Sequence, residues 1–131
     1  MPETSDYVSG IMSAPVVTVA KQATVAQALR AMIDHDFGAV VVTDGSSPVG
    51  VFTERDLTRR ILEDPDLLEH PVADVMSSPL VTVAPGDEVV FVFQLMSEKG
   101  IRRLPVLDGG KLVGIVTERD LLTWVDAVAT S

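Results

Sequence analysis

Cysteine is absent from all 131 residues, which removes disulfides, thiolate nucleophiles and thiolate metal sites together. Histidine is nearly absent: His35 and His70 stand alone, with no His-x-x-x-His or comparable ligand spacing, so no metal site is expected and both belong on the surface. Positive charge is scarce. Ten Lys and Arg face nineteen Asp and Glu, a formal net charge of −9, which disfavours nucleic acid and anionic membranes because such binding is largely phosphate neutralisation. No apolar run approaches the length of a membrane span. The opening Met-Pro-Glu-Thr-Ser-Asp lacks the basic start and apolar stretch of a secretory signal, so a cytoplasmic, soluble protein is expected.

What is present is apolar and written twice. Hydrophobic residues make up 47% of the chain, a globular composition. Slid against itself by 64 residues, the sequence aligns without a gap: Met12-Ser13-Ala14-Pro15 on Met76-Ser77-Ser78-Pro79, Val17-Thr18-Val19-Ala20 on Val81-Thr82-Val83-Ala84, Met32 on Met96, Asp44-Gly45 on Asp108-Gly109. Thr53-Glu54-Arg55-Asp56-Leu57 returns intact as Thr117-Glu118-Arg119-Asp120-Leu121. Two copies are too few for a solenoid, and half the length buries too little apolar surface alone, so a pseudo-twofold pair sharing buried faces is expected.

Each copy reads β-α-β-β-α. A β-branched run, Val16 to Val19, precedes a helix in which Val25, Ala28, Leu29, Met32 and Ile33 recur at helical spacing behind a Thr24/Gln27 capping box. Strands Ala39 to Thr43 and Val49 to Phe52 flank the turn signal Asp44-Gly45-Ser46-Ser47 and pair antiparallel. Another helix starts at Thr53. The second copy repeats this order from Leu80 through the helix beginning at Thr117, which continues past Trp124, expected to pack on a neighbouring helix. Val89-Val90-Phe91-Val92-Phe93 has the composition of a strand, but its partner in the first copy lies in an amphipathic helix, so it too is predicted helical. Apolar around nearly its whole circumference, that helix suggests a subunit contact through Val90, Phe91 and Phe93. The acidic, Pro-bounded stretch from Glu63 to Pro71 is read as a surface connector without chemistry, and Arg59 and Arg60 as a solvated helix face.

Gly-x-x-Thr-x-x-Asp closes both copies, at Gly50 to Asp56 and Gly114 to Asp120, where a strand becomes a helix. Free amides of the first helical turn suit an anion, the Thr hydroxyl a phosphate oxygen, the Asp a ribose diol, and Gly leaves room for a planar base. One occurrence alone is a capping box favoured by the helix dipole. Two, in a pseudo-twofold pair, point to binding, with capping as a compatible second duty.

The Met-x-x-Pro opening with Val-Thr-Val, the helix ending in Met, Ile101-Arg102-Arg103-Leu104-Pro105-Val106 and the Gly-x-x-Thr-x-x-Asp ending together resemble the CBS domain of the cystathionine β-synthase regulatory region, and the pair resembles a Bateman module, over residues 8 to 125. The resemblance implies an α/β (α+β) fold, a tandem pair of β-α-β-β-α units packed through their sheets, with repeats at 8–62 and 72–126 and a connector at 63–71. It also implies clefts between the copies for AMP, ADP, ATP or S-adenosylmethionine, and homodimers. By that analogy one candidate set holds the ribose on Asp120, a phosphate on Thr117 and Arg102 or Arg103, and the base against Ile115 and the backbone near Val17. The second set, Gly38, Val51, Thr53, Asp56 and Val81, is expected to bind more weakly, because Gly38 and Ala39 replace the arginine pair. Arg102 and Arg103, adjacent in a strand, are expected to point to opposite faces.

The expected function is therefore regulatory sensing of an adenosyl ligand, acting in trans on an unidentified protein partner, with no obligatory cofactor. An enzyme is disfavoured, since Glu54, Asp56, Glu118 and Asp120 lack a nucleophile nearby and already fit helix starts. A ligand-independent module for dimerisation, through the helix around Val89 to Phe93, or for docking on an enzyme or transporter is the alternative.

Overall fold

The structure, a computed structural model, describes residues 6–14, 16–78 and 80–130. Pro15 and Pro79, the prolines of the two Met-x-x-Pro openings, and the first five residues read for a signal lie outside the described residues. The elements run α1 (Val8–Ile11), β1 (Thr18–Ala20), α2 (Val25–His35), β2 (Ala39–Asp44), β3 (Ser47–Thr53), α3 (Glu54–Arg60), α4 (Val89–Lys99), β4 (Arg103–Asp108), β5 (Lys111–Thr117) and α5 (Glu118–Thr130), with single 3₁₀ turns at Leu67–Glu69 and Val72–Asp74.

Helix α2 begins where the sequence places its start. The Thr24 hydroxyl accepts the Gln27 amide at 3.1 Å, and the Gln27 side chain accepts the Thr24 amide at 2.9 Å, satisfying two otherwise unpaired donors. Its buried stripe is Val25, Ala28 and Met32, while Ile33, counted into the apolar face, is 58% exposed. The helix ends on Asp36 in the left-handed region (φ 54°); at the matching place α4 ends on Gly100 (φ 64°), where that conformation is free of strain.

Two compact units form, and they cut across the written repeats. The first comprises Val17–Leu80. Here β1 pairs parallel with β2, and β2 pairs antiparallel with β3, giving the order β1-β2-β3. Its core gathers Val25, Ala28 and Met32 from α2, Val40 and Val42 from β2, Phe52 from β3, and Leu67, Val72 and Val75 from beyond α3. Leu67 lies in the connector read from the sequence as surface, yet it is fully buried; its 3₁₀ turn tucks against α2, and Glu63, Asp66 and Glu69 around it stay in solvent. The leader from Val72 to Ser77 is stitched on by Val72 N–H to Ala23 O at 2.7 Å and by a reciprocal backbone pair between Ser77 and Val51 at 2.8 and 3.3 Å.

The second unit joins the described residues up to Val16 to those from Val81 onward. Strands β4 and β5 pair antiparallel, and the core consists of Val8, Val83, Val89, Val92, Met96, Leu104, Val106, Val116 and Leu121. Val8 occupies the place that Val72 holds in the first unit. Its amide donates to Asp87 O at 2.9 Å, and Ser13 pairs reciprocally with Ile115 at 2.9 and 3.0 Å. Each copy's leader therefore completes the core of the other copy's body.

The helix predicted over Val89 to Phe93 is present as α4, against its strand-like composition. It is not covered all round within the described chain: Val90 and Phe91 are 55% and 43% exposed, whereas Phe93 packs on Trp124 of α5, ring centroids 5.9 Å apart. The expected third strand of the second copy shrinks to one parallel bridge, Val83 with Val106. Proline explains the loss. In the first unit the ladder is flanked by Val41 N–H to Val17 O and Lys21 N–H to Thr43 O; the matching donors are Pro105 and Pro85, which have no N–H. Only Val83 N–H to Pro105 O and Leu107 N–H to Val83 O survive.

Candidate functional site

Both strand-to-helix endings carry the same constellation, each inside one unit. In the second unit Thr117 is the last residue of β5 and caps α5. Asp120 Oδ2 accepts the Thr117 amide at 2.8 Å and the Thr117 hydroxyl at 3.1 Å, and the Asp120 amide reaches the same hydroxyl oxygen at 3.3 Å. In the first unit Asp56 Oδ2 accepts the Thr53 amide at 2.9 Å and its hydroxyl at 3.1 Å, with the Asp56 amide 3.3 Å from that oxygen. The capping duty anticipated for these residues is thus present in both units.

The other carboxylate oxygen is held by a residue that the sequence reading passed over. Ser13 Oγ donates to Asp120 Oδ1 at 3.2 Å, and Ser77 Oγ to Asp56 Oδ1 at 2.9 Å. The signal was available in the Met-Ser-x-Pro openings, which recur in register. What repetition leaves open is which copy's Asp each Ser meets. The motif glycines are likewise claimed by the leaders: a Cβ on Gly114 would stand 2.8 Å from Met12 Sδ and 3.0 Å from Ser13 O, and one on Gly50 would stand 2.9 Å from Ser77 O and overlap Met76. The expectation that these glycines open space for a planar base is corrected accordingly, since that space belongs to the chain itself.

The candidate residues divide between the units. Arg102, Arg103, Ile115, Thr117, Asp120 and Val81 lie in the second; Val17, Gly38, Val51, Thr53 and Asp56 lie in the first. Arg103 opens β4 directly across from Thr117 and is half-buried, with no ion pair among the described residues. Arg102, just before the strand, is exposed and sits 3.6 Å from Glu118 through its Nε, a pair worth little in water. Its carbonyl accepts the Glu118 amide at 3.1 Å, as Gly38 O accepts the Glu54 amide at 3.1 Å. Ile115 and Val51 spend their backbone groups on the leaders, which leaves Ile115 half-buried and Val51 buried. Val17 and Val81 are half-buried beside the cores of their own units.

His35 closes α2 in solvent, stacked on Phe37, and His70 lies 3.6 Å from Asp64. Among the described residues no three His, Asp or Glu gather as metal ligands would, and no helix is long and apolar enough to cross a membrane.

A repeated strand-hairpin-helix unit whose copies each end in a capped Thr-x-x-Asp turn defines a tandem module with one polar constellation per unit. The CBS domain model matches residues 8–63 and 72–127, and the chain belongs to that family. Among relatives, an uncharacterized protein of Methanopyrus kandleri is 40% identical over 110 residues, 82% of this chain and 56% of its own length. The CBS domain-containing protein YhcV of Bacillus subtilis is 36% identical over 114 residues, 87% of this chain and 81% of its own. The chain thus spans little more than half of the first relative. Among solved structures, a CBS-domain protein of Agrobacterium tumefaciens superposes with a TM-score of 0.86 at 26% identity, covering 95% of this chain and 97% of that one. A CBS domain protein of Pyrobaculum aerophilum, solved in complex with AMP, gives 0.82 at 28%, covering 95% and 99%.

Proposed function

We propose that this chain is a regulatory sensor that binds an adenine nucleotide or another adenosyl ligand (AMP, ADP, ATP or S-adenosylmethionine), catalyses nothing itself, and acts in trans on a protein partner in the cytoplasm. The observation that carries this reading is the Thr117–Asp120 constellation beside the unpaired cation of Arg103. It sets a carboxylate suited to a sugar diol beside a positive charge suited to a phosphate at one strand-to-helix turn. The AMP held by the Pyrobaculum relative supports the ligand class. Ile115 is the proposed base contact within this unit, with Arg102 as a second cation. Gly38, Val51, Thr53 and Asp56 form the proposed weaker set in the other unit, because Gly38 and Ala39 bring no positive charge.

Thermal unfolding with each of the four ligands tests the proposal. A ligand at about 100 times its dissociation constant stabilises by about 2.7 kcal/mol. The shift is expected to be selective, and to vanish in Asp120→Ala. Since that substitution also removes a cap, worth about 1 kcal/mol, the quantity to compare is the ligand-induced shift and not the starting temperature. Exposed Val90 and Phe91 on α4 favour a second reading, self-association through that helix or docking without a ligand. No shift with any of the four would select it.

A further inference from the structure

The two oxygens of the Asp120 carboxylate have different duties. Oδ2 accepts two hydrogen bonds from Thr117, amide and hydroxyl, which engages both of its lone pairs. Oδ1 accepts one, from the Ser13 hydroxyl, and keeps a free lone pair. The Ser13 oxygen has given away its only proton, so it faces outward purely as an acceptor. Ser13 is exposed and Asp120 half-buried, and the two oxygens stand 3.2 Å apart. The backbone of Ser13 is fixed by its reciprocal pair with Ile115 and by the close approach of its carbonyl to Gly114. The result is a short edge of two outward-facing acceptors whose one intervening proton is already shared between them.

We infer that Ser13 is a specificity-determining residue for the adenosyl ligand: together with Asp120 Oδ1 it receives both hydroxyls of the ribose, one on each oxygen. The inference rests on the functional reading above and names the part of the ligand that this edge selects. Two neighbouring hydroxyls on one ring present two donors side by side, which is the complement of two adjacent acceptors. A phosphate offers acceptors only and is turned away from this edge, toward the cation of Arg103. The same pairing recurs between Ser77 and Asp56, although those partners lie 21 residues apart and Ser13 lies 107 residues from Asp120, so it is not an accident of one local turn. If Ser13 served only to pin its own segment, the ligand's sugar would be indifferent to it.

Calorimetric titration of the full chain with AMP, 2′-deoxy-AMP and 3′-deoxy-AMP tests this. Each deoxy analogue is expected to bind about five- to tenfold more weakly than AMP, the worth of one hydrogen bond. In Ser13→Ala, AMP weakens by a similar factor and one of the two analogues now equals it; Ser13→Thr, which keeps the hydroxyl, restores both discriminations. Unchanged discrimination in Ser13→Ala overturns the inference and leaves the functional reading standing. Should Ser13→Ala fail to fold, the unaltered chain still decides, because a penalty for only one missing hydroxyl shows that a single acceptor is in use. Absence of AMP binding overturns the inference as well, and silence from ADP, ATP and S-adenosylmethionine in the thermal assay then overturns the functional reading with it.

Discussion

At the scale of single residues, the glycine of each Gly-x-x-Thr-x-x-Asp motif shows how a pattern can be legible while its cause is not. Repetition singled out Gly50 and Gly114, and the natural physical reason was room for a ligand. The structure fills that room with Met76, Ser77, Met12 and Ser13, residues far away in sequence or attached to the other copy. Gly50→Ala is accordingly expected to destabilise by about 1–3 kcal/mol, the range for overpacking against a backbone that cannot move aside. Gly86→Ala, where nothing lies within 4 Å of the added carbon, should be within about 0.5 kcal/mol of neutral. Chemical denaturation of both variants checks the contrast, and equal effects would show that the leader yields. The Thr-x-x-Asp pairs were legible because their partners are three residues apart; Ser13 and Ser77 were not, because hydroxyls reaching across 107 and 21 residues leave no local spacing to read.

At the scale of elements, repetition proved a better guide than composition. Val89 to Phe93 is β-branched and aromatic, yet it forms α4, with Val89, Val92 and Met96 inside, because helix stability comes from the face it buries more than from propensity. Repetition also misled once, over Val81 to Val83, since a pair of prolines removes donors without disturbing the hydrophobic pattern. Pro105→Val supplies the missing N–H opposite Val81. Its new amide is expected to exchange slowly with solvent deuterium, like that of Val41, with overall stability changed by less than about 1 kcal/mol, as the gained bond is offset by a looser unfolded chain. Rapid exchange at position 105 would mean that the backbone there is held away from the ladder by something besides proline.

At the scale of the molecule, the exchange of leaders was beyond the reach of the sequence, because both leaders are near-copies and an offset of 64 residues is the same whichever body each one joins. It makes a fragment boundary predictable. Residues 17–80 contain their own leader, with Val72 and Val75 in the core, whereas residues 1–62 carry the wrong one and leave Val25 and Phe52 partly uncovered. Circular dichroism on heating is expected to give the more cooperative transition for 17–80; a sharper transition for 1–62 would mean that a leader can also serve its own body. In the intact chain, Val8→Ala should speed amide exchange in α4, β4 and β5 while α2, β2 and β3 keep their protection. The same exchange orders events during synthesis. Val17 to Leu80 can assemble as soon as it leaves the ribosome, while Val8 and Ser13, made before it, find their partners only once Asp87, Ile115 and Asp120 are translated, so an earlier-made segment settles after the one that follows it.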